Sequence, residues 1–175
     1  AFYPGPGLGG HCIPLDPYYL TWKAREYGFH TSMIEASMMI NDKMPEYCVD
    51  RAAKVLNRVK KALNGSKVLV LGVAYKADID DYRESPAIDV IEILQREGAN
   101  VDFFDPYIPK FRAHGKEYVG IADISPEVIS SYDIVFVAAA HTNVDYDMIE
   151  QNAQAIFDSK NAMKDVKNRE KIEVL

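Results

Sequence analysis

The spacing of apolar positions along the chain changes near residue 65. Before it, Met33, Ile34, Ala36, Met38, Met39 and Ile40, and then Val49, Ala52, Ala53, Leu56, Val59 and Ala62, recur at intervals of three and four. That period lines one side of a helix, so it predicts a Met-rich helix after Ser32, its cap, and another over about 46–63, opened by Pro45. An earlier helix is expected up to Tyr27, with Asp16 as N-cap, Pro17 at the first helical position and Gly28 just past the end. Its Tyr19, Trp22 and Tyr27 form an aromatic stripe, which reads as core-facing. Asn64-Gly65-Ser66 is a turn signal, and unbroken apolar runs follow it. Lys67–Val73 and Asp133–Ala139 read as strands buried in a parallel sheet, Val101–Phe104 and 155–157 as further strands, and Tyr118–Ile121 as a weak strand or loop. Helices opened by Ser85-Pro86 and Ser125-Pro126, and one over 146–152, lie between them. Strands alternating with helices at this spacing predict a doubly wound α/β domain over 65–163 behind a helical segment over 17–64. Residues 164–175 read as a charged, loosely ordered tail.

Composition narrows the class. With 175 residues, 48% hydrophobic and 26% charged, the chain is that of a soluble globular protein. A net charge of −6 argues against a general nucleic-acid partner, so any phosphate site must be local. Two cysteines, Cys12 and Cys48, make no disulfide framework and point to a reducing, cytoplasmic setting. No apolar run approaches the length of a membrane span. The chain begins without Met inside a glycine-rich stretch, which reads as a piece of a longer protein.

That stretch, residues 1–16, carries the densest chemistry. Gly5, Gly7, Gly9 and Gly10 fall within six positions, interleaved with Pro4 and Pro6, and Cys12 follows. Glycine allows close approach of backbone to a ligand and proline stiffens the turn, so the loop is suited to present N–H groups to an anion or a sugar. A thiol beside a helix N-terminus is favoured as thiolate, which makes Cys12 a candidate nucleophile. Equally open on spacing alone are a buried structural Cys12 and an Asp16 that only caps. His11 adjoins Cys12, but neighbours in an extended loop point opposite ways, so a Cys-His dyad is not expected.

In an open α/β sheet, ligands collect at the carboxyl ends of the strands. Lys76 and Arg83 follow the first strand there, His141 a later one and Lys160 the last, a local positive edge suited to a pyrophosphate. The alternative is that Lys76 and Arg83 pair with Asp78, Asp80 and Asp81. A dinucleotide Gly-x-Gly-x-x-Gly fingerprint is absent, since only Gly72 is present in Leu71-Gly-Val-Ala-Tyr-Lys76.

Two of these stretches carry a family resemblance. Gly5-Pro-Gly-Leu-Gly-Gly-His-Cys-Ile-Pro-Leu-Asp-Pro17 resembles the catalytic loop of the UDP-glucose/GDP-mannose dehydrogenases. Gly72-Val-Ala-Tyr-Lys-Ala-Asp-Ile-Asp-Asp-Tyr-Arg-Glu-Ser-Pro86 resembles the start of their UDP-binding domain. The form Gly9-Gly-His-Cys-Ile-Pro-Leu-Asp-Pro-Tyr-Tyr-Leu-Thr-Trp-Lys-Ala-Arg-Glu26 is similar to members acting on UDP-N-acetylhexosamines. The resemblance implies oxidation of a sugar C6 hydroxyl to a carboxylate with NAD, through a thioester on Cys12 and with Asp16 orienting the hydrolytic water. It implies substrate contacts from Gly5, Gly9, Lys76 and Lys160, and Arg83 reaching the cofactor. It implies a homodimer through residues 32–63 and no metal. Many relatives carry Lys where this chain has Leu15. The NAD-binding domain of such enzymes has no counterpart here, so the chain alone is expected to bind a uridine nucleotide weakly and to be inactive. Competing readings are a non-catalytic UDP-binding or dimerisation piece and a Cys-dependent hydrolase, which would need a His beside Cys12.

Overall fold

In chain order the elements are α1 (Cys12–Glu26), α2 (Ser32–Asp42), α3 (Met44–Arg58), β1 (Lys67–Leu71), α4 (Pro86–Arg96) and β2 (Asn100–Phe104). There follow β3 (Lys110–Ala113), β4 (Lys116–Val119), α5 (Pro126–Ser130), β5 (Ile134–Val137), α6 (Tyr146–Asn152), β6 (Ile156–Asp158) and β7 (Ile172–Val174). They belong to a computed structural model that describes residues 3–175. Five strands form one parallel sheet in the order β2-β1-β5-β6-β7, while β3 and β4 form a separate antiparallel hairpin. The expected α/β class with a parallel sheet is what the chain adopts.

The alternation of side chains along each strand sorts the core into two layers. Val68, Val70, Ile134, Phe136 and Phe157 point to one face, where α3 and α4 cover them. Leu69, Leu71, Val135, Val137 and Ile156 point to the other, under α5 and α6. Each such side chain contributes about 1.5–3 kcal/mol by leaving water. Helix α3 supplies Cys48, Val49, Ala52, Val55 and Leu56 to the first layer. The change of pattern at residue 65 is therefore a change of element type within one core.

Four expectations are corrected. Helix α1 starts at Cys12 rather than after Asp16, and Pro17 lies inside it. First-turn N–H groups have no intrahelical acceptor, so Pro14 sits in that turn without loss and the helix can begin earlier. Helix α3 stops at Arg58, short of Leu63, because Lys60 turns left-handed (φ 61°) and Lys61 N closes onto Leu56 O. The presumed tail forms β7, paired with β6 and tied to α3 by Glu173, which accepts from Arg51 and Arg58. Finally, the aromatic stripe faces outward: Tyr19, Trp22 and Tyr27 are each more than three-fifths exposed.

Candidate functional site

Two buried carboxylates shape the loops at the carboxyl edge of the sheet, one after each outer strand of the β2-β1-β5-β6 set. Asp105, following β2, accepts from Val73 N (2.7 Å) and Ala74 N (3.0 Å) with one oxygen, and from Tyr107 N and Ile108 N with the other. Burial alone would raise its pKa, but these bonds and one from His141 hold it below the ordinary carboxylate value. Asp158, ending β6, accepts from Lys160 N, Ala162 N and Met163 N, winding residues 159–163 into a tight turn. The first carboxylate fixes how the 72–85 connection leaves β1, and the second fixes where Lys160 stands.

The glycine-rich loop is seated between these two features. Gly10 N donates to Arg83 O at 3.0 Å, and Leu8 N donates to Asn41 Oδ1 at 3.0 Å at the end of α2. A Cβ on Gly9 would stand 2.5 Å from Glu84 O and 2.6 Å from Tyr75 Cβ, so only glycine lets the two backbones meet there. A Cβ on Gly5 would meet Lys160 Nζ at 2.6 Å. The two stretches of sequence singled out above, with β1 and three helices between them, thus touch.

Lys160 is half-buried, and burial pushes its ammonium below the usual lysine value, partly opposed by the nearby Cys48. Among the described residues, no nearby carboxylate offsets that effect on the ammonium. A desolvated cation of this kind favours an anion against it. Lys76 is exposed on the 72–85 connection. Arg83 is also exposed, and its guanidinium is paired with Asp81 (Nη2–Oδ2 2.7 Å), the loop pairing weighed from sequence. His141 is not part of a positive edge: it is 1% exposed, and both its ring nitrogens are engaged within the protein.

The two thiols differ sharply. Cys48 is fully buried and burial pushes its thiol up to about 12, which makes it chemically inert. Cys12 is exposed at the first position of α1, with the N-terminal amides of the helix around it. Asp16 is no cap. It stands one turn further along α1, in the i, i+4 relation that puts a carboxylate beside the thiol on one helix face. His141 has both ring nitrogens engaged, by Asp78 N and Asp105, so it is not free to serve Cys12 as a base, while His114 holds Glu92 through Nδ1.

A cavity of about 750 Å³ between α3, α4 and the β3–β4 hairpin is lined by charges of both signs, Asp42, Glu46, Asp89 and Glu92 beside Arg96, His114 and Lys116. Asp105, Asp158, Asn41 and Tyr75 went unassigned from sequence. Their only signal was the Asp-Pro step after a strand, Asp105-Pro106, which marks a loop but not what the carboxylate would hold.

Three comparisons bear on this arrangement. The sequence profile of the UDP-glucose/GDP-mannose dehydrogenase family, UDP binding domain, matches residues 69–165, and that of the family's central domain matches residues 1–43. The chain is 40% identical over 139 residues to UDP-N-acetyl-D-glucosamine 6-dehydrogenase of Salmonella typhi, covering 78% of this chain and 32% of that protein. It is 33% identical over 163 residues to the Pseudomonas aeruginosa protein of the same name, covering 93% and 38%. It thus spans about a third of the length of these curated relatives. Among solved structures it resembles UDP-D-ManNAc dehydrogenase from Pyrococcus horikoshii, with a TM-score of 0.81 at 28% identity, covering 99% of this chain and 40% of that one.

Proposed function

The chain belongs to the UDP-glucose/GDP-mannose dehydrogenase family, and on that premise we propose that it is the nucleotide-sugar-binding and thiol-bearing part of a UDP-N-acetylhexosamine 6-dehydrogenase. The observation that carries the reading is the seat of the glycine-rich loop. Gly9 and Gly10 lie against Tyr75 and Arg83 while Gly5 lies against Lys160, so a ligand on the loop also meets the sheet's carboxyl edge. In this reading Lys160 and Lys76 offset the charge of the pyrophosphate and the backbone at Gly5 and Gly9 lines the sugar. The N-acetylhexosamine preference follows the names of two relatives, at 40% and 33% identity.

The chain's own chemistry then falls to Cys12 and Asp16. A C6 aldehyde is attacked by the Cys12 thiolate; the S–C bond forms, and the carbonyl electron pair passes to oxygen, which takes up a proton. At the thioester stage a water oxygen attacks the same carbon and the C–S bond breaks, returning the thiolate and releasing the acid. Asp16, one turn from Cys12, orients that water and accepts its proton. The oxidations need NAD, and the turn after β1 holds only Gly72 of a Gly-x-Gly-x-x-Gly fingerprint, a position where a Cβ would stand 2.5 Å from Ala139 Cβ. Arg83 would at most reach the cofactor from the rim, exchanging Asp81 for it.

We further read Met33, Met39 and Ile40, all exposed, as a face that pairs two copies of the chain through residues 32–63, in a cytoplasmic enzyme. Titrating UDP into this chain by calorimetry tests the binding reading: weak, saturable binding that Lys160→Ala abolishes supports it. No binding, or binding indifferent to Lys160, defeats it. Of His30, His114 and His141, the histidines that a Cys-dependent hydrolase could recruit, His141 has both ring nitrogens engaged within the protein.

A further inference from the structure

The connection from β1 to α4 carries two residues in strained backbone. Gly72, Asp78 and Glu84 all adopt left-handed backbone, at φ 83°, 63° and 48°, and for the two non-glycine residues this conformation is unfavourable unless the surroundings hold it. Its start is held by Asp105 through Val73 N and Ala74 N, and its end by Gly10 N on Arg83 O. The middle is held by His141, a buried side chain with no part in the chemistry above.

The bonding fixes the state of the imidazole. Asp78 N can only donate, and it donates to His141 Nδ1 at 3.0 Å, so Nδ1 carries a lone pair and Nε2 the proton. Nε2 donates to Asp105 Oδ2 at 3.1 Å. Next along the chain, Thr142 donates from N (2.8 Å) and from Oγ1 (3.1 Å) to the Asp78 carboxylate. The ionisable groups facing the ring are Asp105 after β2, Asp78 on the connection and Tyr107, whose ring centre is 5.2 Å away.

We infer that His141 is a positioning residue: by holding Asp78 it sets the 75–84 segment, and through Arg83 O and Tyr75 it sets the seat of the loop that carries Cys12. The chain of contacts runs from the ring to Asp78, along a short strained segment to Arg83, and across to Gly10, two residues before the thiol. Its relevance to binding rests on the nucleotide reading above, whereas the mechanical coupling does not.

Amide exchange followed residue by residue on this chain separates the two. In His141→Gln the terminal amide still reaches Asp105 but offers nothing where Nδ1 stood. Exchange at Asp78 and at Gly10 should rise together by about 3- to 10-fold, the loss of one net hydrogen bond, with β5 amides unchanged. In His141→Asn an amide oxygen lies where Nδ1 stood, and both sites should return towards their parent rates. Faster exchange at Asp78 with none at Gly10, or Asn and Gln behaving alike, overturns the inference. Should the Gln chain fail to fold, Thr142→Val removes only an exposed bond to Asp78; the same two amides must then loosen together, and a steady Gly10 overturns it. UDP titration forms a separate arm: affinity should fall in His141→Gln and recover in His141→Asn. Failure of the parent chain to bind UDP removes the nucleotide reading and leaves the exchange result to decide the coupling.

Discussion

Replacing Gly9 by Ala adds one methyl group at the point where the two motifs meet. The new carbon would stand 2.5 Å from Glu84 O and 3.2 Å from the Glu84 carbonyl carbon, both backbone, and 2.6 Å from Tyr75 Cβ. None of these is the free end of a flexible side chain, so the loop rather than its seat must move. Forcing a group into such a contact costs about 1–3 kcal/mol. Undocking the loop relieves the clash but gives up the Gly10 N–Arg83 O bond, worth about 0.5–1.5 kcal/mol net. Either way the docked state is disfavoured by about 1–3 kcal/mol, or roughly 5- to 150-fold in any affinity that needs it. The sheet core lies elsewhere, so thermal unfolding should shift little. The assay is UDP calorimetry with a melting curve on the same sample, and Gly28→Ala as control, since Gly28 sits in open space, at a positive φ (68°) that Gly9 does not share. The control should lose about 1 kcal/mol of stability and no affinity. A Gly9→Ala chain that binds UDP within twofold of its parent would refute the reasoning that the loop's seat forms the site.

Other outcomes follow from the same geometry. With iodoacetamide under native conditions and mass spectrometry as readout, Cys12 should be alkylated while Cys48, buried with its thiol raised to about 12, reacts only on unfolding; equal labelling would contradict the packing of α3. Asp105 has its folded pKa depressed, so its contribution to stability is present above the unfolded carboxylate value near ~3.9 and is lost as pH falls through the folded value. Urea unfolding should therefore show the gap between parent and Asp105→Asn narrowing below about pH 4, and a constant gap would rule out an ionised Asp105. Light scattering should show concentration-dependent dimers that Met39→Lys converts to monomers; a parent monomer at high concentration would exclude pairing through residues 32–63.

Local signals in the sequence found much of the fold. Ser85-Pro86 and Ser125-Pro126 did open helices, with each serine capping the next turn, and Tyr146–Asn152 is a helix capped by Asp145. Strand β5 is buried at all four positions, as its unbroken apolar run required. What escaped depends on distant partners. Ile172–Val174 is three residues in a charged stretch, and it becomes a strand only because β6 and two arginines of α3 wait for it. The outward face of Trp22 could not be told from a core stripe, because helical period gives a side and not what covers it. At the site, Cys12 and Asp16 fall one turn apart on α1, and Lys160, whose backbone Asp158 holds, lies against Gly5. His141 was misread for the same reason: position after a strand says that a residue is at the edge, whereas its burial depends on Asp78 and Asp105 arriving from two other loops.

In the proposed function, Cys12 carries the sugar as a thioester which Asp16 helps to hydrolyse. Completing the chain to the length of its relatives, with Asp16→Asn, and supplying UDP-N-acetylglucosamine and NAD, allows intact-mass analysis to look for it. Hydrolysis should be slowed by roughly 10²–10⁴-fold, with a sugar-nucleotide adduct accumulating on Cys12 and absent from the matching Cys12→Ser protein. Acid formation at the normal rate in the Cys12→Ser protein would contradict this role of Cys12.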